Sequence, residues 1–193
     1  MRWLFFILWI YSLGVAAETR IGLGSCFNQE KSHSIWKTIG DADLDGFLFL
    51  GDNVYASRGF SRERLMSAYE RADAVIPWDR LGIVQATWDD HDFGINDGGS
   101  SYPLKSDAQK MYLDFWDVSQ EDIRRYREGI YTNKIIDIDG FKINLILLDT
   151  RYFRSDLEKT NGINSVYLKN TNPDATILGD DQWSWLIETI KTE

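Results

Sequence analysis

Cysteine, histidine and proline are scarce in this chain. A single cysteine, Cys26, in 193 residues excludes an intramolecular disulfide framework and a cysteine-based zinc finger. Two histidines and three prolines leave little material for a histidine-rich metal tract or a proline-rich linker. Positive charge is the minority sign, with 21 Lys and Arg against 30 Asp and Glu for a net −9. That balance argues against a broad nucleic-acid groove, which needs the opposite field. No repeat or second composition regime divides the chain, so one domain is expected. What is abundant is apolar and aromatic: 44% hydrophobic residues, with 8 Trp, 9 Tyr and 10 Phe. This content suffices for a sizeable core and excludes intrinsic disorder and collagen-like order.

The amino terminus reads differently from the rest. Met1-Arg2 is a short positive start, Trp3 to Val15 carries no charge, and Val15-Ala16-Ala17 offers small residues to a signal peptidase. This pattern predicts a secretory signal peptide over 1–17, cleaved after Ala17, ahead of one domain over 18–193. The apolar run is short of the roughly 20 residues of a membrane span, and an uncleaved anchor is the alternative. The product is expected to be exported, extracellular or periplasmic, with no stable membrane span after cleavage. In that setting a lone thiol is a buried hydrophobe, an intermolecular link or a ligand.

Hydrophobic patterning predicts strands at Thr19–Leu23, Gly46–Leu50 and Leu81–Trp88. Helices are expected over Ser34–Ile39, Ser61–Ala74 (capped by Ser61), Ser106–Trp116, Glu121–Arg127 and Asp180–Thr192, the last capped by Asp180 or Asp181. Two apolar runs, Ile130–Ile138 and Phe141–Leu148, flank Asp139-Gly140 and signal a hairpin. The mixed order points to an α/β or α+β fold.

Chemistry gathers where three predicted strands end: Ser25-Cys26, Gly51-Asp52-Asn53-Val54-Tyr55 and Asp89-Asp90-His91-Asp92. Ends of strands in open sheets are where sites form. So many carboxylates repel one another unless a cation sits among them. Thiolate, carboxylate and phenolate suit a transition metal, whereas carboxylate and amide oxygens suit Ca²⁺ or Mg²⁺. Two such metals serve phosphoryl transfer by polarising the phosphoryl oxygens and activating water.

At this point GSC (24–26), GDNVY (51–55), WDDHDFGINDGG (88–99), LDTRYFR (148–154) and LGDDQWSWL (178–186) resemble, in order, the alkaline phosphatase D-like metallophosphatases of the calcineurin-like phosphoesterase superfamily. The resemblance implies a β-sandwich flanked by helices and an exported hydrolase of phosphate mono- or diesters working through metal-activated water. It implies two or more metal ions, iron with calcium, and a small phosphate ester as substrate. Cys26 and Tyr55 would then bind iron and Asp52 would bridge to the neighbouring metal. Asp90, with Asp89 beside it, would serve the second metal, and His91 would act as acid or charge stabiliser near the leaving group. Asn96 and Asp97 would be outer or direct ligands, and Arg151, with Arg154, a phosphate clamp whose ordinary alternative is pairing with nearby acids. Family members continue with a late S-G-D-x-H-like loop, and here the only histidines are His33 and His91. The chain is therefore expected to hold the amino-terminal portion of such a domain, or to be a metal- or phosphate-binding remnant.

Two other patterns compete. Asp41, Asp43, Asp45, Gly46 and Asp52 fit an EF-hand loop with Asp in place of the final Glu, but Phe47–Leu50 reads as a buried strand. A cysteine hydrolase built on Cys26 and His91 is conceivable, although nothing but carboxylates would orient the histidine. His33, in a polar run, is expected at the surface.

Overall fold

The computed structural model describes residues 18–56, 61–138, 140–160 and 166–191. The signal peptide expected over 1–17 lies outside the described residues. The fold is mixed α/β, and its centre is the strand with the most apolar sequence. Strand β2 (Gly46–Leu50, GFLFL) runs between β1 (Ile21–Gly24) and β3 (Ile83–Thr87), parallel to both. A central strand covered on both faces reads as a continuous apolar run rather than an alternating one, and residues 46–49 are all buried.

Phe47 and Phe49 project to the same face and meet an aromatic layer. Trp36 of α1 (Ile35–Gly40) lies 5.9 and 6.0 Å from their ring centroids, and Trp116 lies 5.0 Å from Phe49. Helix α2 (Arg62–Asp73) starts at Ser61, whose hydroxyl accepts the Arg64 N–H at 3.2 Å, as its sequence predicted. It buries Leu65, Ala68, Tyr69 and Ala72, a three-and-four spacing that defines one helix face. The short helix α3 (Asp90–Phe93) follows β3, and α4 (Lys105–Phe115) buries Ala108, Gln109, Tyr112 and Leu113. Tyr69 of α2 stacks on Phe115 of α4 with centroids 4.2 Å apart. The predicted helix at Glu121–Arg127 is only a 3₁₀ turn, Ile123–Arg125. Asp122 turns its carboxylate onto the Arg124 N–H and guanidinium, and Arg125 donates to the carbonyls of Leu113, Val118 and Ser119. Asp122 thus caps the turn, and the Arg125 and Tyr126 N–H groups bond three residues back, to Asp122 O and Ile123 O.

The hairpin stands where Asp-Gly placed it. Strand β4 (Thr132–Ile138) pairs antiparallel with β5 (Phe141–Leu147), from Thr132 opposite Leu147 to Ile138 opposite Phe141. Its far end is tied to the parallel sheet by Thr87 Oγ1, which donates to Leu148 O at 2.7 Å. Asp149 completes that join. Fully buried, its carboxylate accepts Trp88 Nε1 (2.8 Å) and the N–H groups of Ile130, Arg151 and Tyr152 (2.9 Å each). Burial raises this carboxyl above the usual range, and the donated N–H groups oppose the shift. Gln182 of α5 (Gly179–Lys191) locks the same loop, accepting Asp149 N–H and donating to Asp149 O, both at 2.8 Å. Asp180 and Asp181 lie within the first turn of α5 rather than before it, where the helix dipole favours negative charge. Among the described residues, no helix is long and apolar enough to cross a membrane.

Candidate metal centre

Three parallel strands must end at one edge, and this brings the three predicted loops together. Gly51 O accepts the Cys26 N–H at 3.1 Å, so the loops after β1 and β2 touch through their backbones. Cys26 (φ 59°), Asp52 (φ 51°) and Asp97 (φ 60°) hold left-handed backbone. Such conformations are costly for non-glycine residues and cluster at functional sites.

Asp52 is the hub. One carboxylate oxygen accepts the His91 N–H at 3.2 Å, and the other accepts the Tyr55 hydroxyl at 3.0 Å, with the Cys26 thiol 4.0 Å away. The His91 ring lies against Tyr55 with centroids 4.2 Å apart. Asp52, Asp90 and His91 each offer a ligand atom, all within 4.8 Å of one another. Burial raises the Asp52 carboxyl and the neighbouring Asp90 charge adds to it, while the His91 N–H and Tyr55 hydroxyl oppose them. Burial and the Asp52 carboxylate both push the Tyr55 phenol above its ordinary value. Two carboxylates and an imidazole crowded at a half-buried edge fit a divalent or trivalent cation, which would relieve that repulsion. On the same loop, Asn53 adds a buried Oδ1 that has no hydrogen-bond partner among the described residues.

Sequence reasoning missed the residues that hold this arrangement. Asp92, with no exposed surface, accepts the N–H groups of Asp89 (2.6 Å), Asn53 (3.1 Å) and Asp52 (3.3 Å), and Asn53 Nδ2 at 2.6 Å. It thereby clamps the loop carrying Asp52 to the loop carrying Asp90. Burial pushes its carboxyl up to about 8, against the donated N–H groups. The aspartate run gave the signal, but only the fold separates Asp92, turned inward, from Asp90, turned to the edge.

The remaining predicted residues are distributed differently. The Asp89 carboxylate is taken by the Arg151 guanidinium, whose Nη1 is buried without a partner among the described residues. Arginine and aspartate predicted for substrate and metal thus meet each other. Asn96 lies exposed on the turn after α3, and Cys26 is exposed at the edge, approaching Asp52. His33 is half-buried rather than on the surface, its Nε2 2.9 Å from Gln29 O. The EF-hand pattern is dismantled by the fold. Asp41 pairs with Lys37 and Arg80, Asp45 accepts the Arg20 N–H at 2.7 Å, and the intervening segment is strand β2. No family model, characterised protein or solved structure matches the chain.

Proposed function

We propose that this protein is an exported, metal-dependent hydrolase of phosphate mono- or diesters, with a calcineurin-like architecture of the alkaline phosphatase D type. The observation that carries this reading is the convergence of Asp52, Asp90 and His91 at one sheet edge, with Tyr55 and Cys26 reaching the same Asp52 carboxylate. Asp52, Cys26 and Tyr55 would hold iron, and Asp90, with Asp52 as the bridge, would hold the neighbouring metal, calcium in this proposal. Such ions supply Lewis acidity that polarises phosphoryl oxygens and activates water. The chain's own groups orient the rest. The His91 N–H and Tyr55 hydroxyl fix the two oxygens of Asp52, and the His91 ring, braced by Tyr55, can give a proton to the departing alkoxide. Arg151 and Arg154 add positive charge beside the acidic edge, where a phosphate would otherwise be repelled.

The test is turnover of nitrophenyl phosphate mono- and diesters by the full chain loaded with iron and calcium. Asp52→Asn and His91→Ala are expected to lower kcat by about 100-fold or more; activity indifferent to both sinks the reading. One observation favours a second reading, a metal- or phosphate-binding remnant: Asp89 is committed to Arg151 and withheld from the cluster. That reading expects metal uptake without turnover.

A further inference from the structure

We propose that Arg154 and Asp97 are positioning residues that aim Asp90 at the cation, an inference resting on the metal-site reading above. Asp90 Oδ2 accepts the Asp97 N–H at 2.7 Å, which fixes the plane and rotation of the Asp90 carboxylate. Asp97 holds left-handed backbone, φ 60°, at the turn where that N–H meets Asp90. Left-handed backbone is disfavoured for non-glycine residues, and aspartate is among the few that visit it.

Two contacts hold it there. Arg154 Nη2 donates to the Asp97 carbonyl and spans to Gly98 O at 3.3 Å, gripping two consecutive peptides. The Asp97 carboxylate faces the other way, accepting Lys159 Nζ at 2.9 Å and the Tyr167 hydroxyl. The Asp97 N–H is thus engaged by Asp90, its carbonyl by Arg154, and one carboxylate oxygen, Oδ2, by both Lys159 and Tyr167. Asp97 lies outside the Asp52–Asp90–His91 group, and its contacts make it a support for Asp90 in this proposal. Arg154 is anchored in turn, since its own carbonyl accepts the Ser100 N–H at 2.8 Å. Both carbonyls are reached by one nitrogen, Nη2, at the end of a side chain whose planar head loses little freedom on binding. Outer-shell partners of ligands commonly change metal affinity by about 10- to 100-fold.

Calorimetric titration of the full chain with Mn²⁺, alongside the unfolding midpoint without cation, tests this. Arg154→Gln is expected to weaken Mn²⁺ binding on the order of 10- to 100-fold, and Arg154→Lys to recover part of the loss. Asp97→Val, whose branched side chain disfavours positive φ, is expected to weaken binding similarly. Asp97→Asn, which tolerates that backbone, retains most of the affinity. Should Arg154→Gln fail to fold, the Asp97 pair decides. Equal affinity in wild type and Arg154→Gln overturns the inference alone, as does an equal loss in Asp97→Val and Asp97→Asn. A wild-type chain that takes up no Mn²⁺ overturns the metal-site reading, and this inference with it.

Discussion

Replacing Gly51 with alanine strikes the contact between the loops that carry the site. Gly51 holds φ 103°, a conformation that favours glycine, and a Cβ there would meet Asp89 N and Asp89 Cβ at 2.7 Å and Trp88 C at 2.9 Å. Neither side has slack. The Asp89 N–H is fixed on Asp92 at 2.6 Å, and the Gly51 carbonyl is fixed by Cys26 N–H at 3.1 Å. The backbone strain is worth about 1–3 kcal/mol, and overpacking against backbone atoms adds about 1–3 kcal/mol. Gly51→Ala should therefore lose about 2–6 kcal/mol of stability. Gly140 supplies the control, because it holds φ 85° and a Cβ added there would meet nothing within 4 Å. Gly140→Ala carries the backbone strain alone, so the difference between the variants isolates the clash. Urea unfolding followed by tryptophan fluorescence reads both. Since the clash pushes the Asp52 loop from the Asp90 loop, Mn²⁺ affinity should fall in Gly51→Ala and not in Gly140→Ala. Equal unfolding free energies for the two variants would refute the reasoning.

Two further outcomes follow from the polar contacts. Asp149→Ala strands four buried N–H donors at about 1–3 kcal/mol each; thermal unfolding should show a loss of at least about 4 kcal/mol, and a loss below about 1 kcal/mol contradicts the role assigned to Asp149. Asp122 is held below the ordinary carboxylate range by its bond to the Arg124 side chain, against the pull of burial. A lowered folded value means the contribution is present above the unfolded value of about 4 and lost as pH falls through the folded one. Stability measured against pH should thus fall less steeply below about pH 4 in Asp122→Asn; an unchanged acid limb would rule that out.

Much of the framework was legible because local rules and tertiary packing agree. Ser61 caps α2, GFLFL is the central strand, and Asp139-Gly140 joins β4 to β5, all through short-range preferences that the fold does not contest. One failure lies in the local backbone pattern. At Glu121–Arg127 the Asp122 carboxylate caps the Arg124 N–H and the next amides bond three residues back, a tight turn that periodicity does not tell from a helix. Within the site, residue types told where acids gather but not which way each one points. Asp89, Asp90 and Asp92 are nearly adjacent, yet one pairs with Arg151, one joins Asp52 and His91, and one is sealed beneath them.

The sequence by itself determined an acidic, aromatic-rich chain of mixed α/β type whose unusual residues follow apolar strands. Composition, periodicity and turn chemistry act within a few residues, and that range sufficed. Only the tertiary structure decided that β1, β2 and β3 run parallel, which carries loops far apart in the chain to one edge. It also decided that Asp52, Asp90 and His91 share a centre while Asp92, Asp149 and Gln182 are spent on holding loops together. Those assignments depend on burial and on hydrogen bonds across the whole chain. A carboxylate's task is set by the groups that surround it, and its neighbours in sequence are seldom those groups.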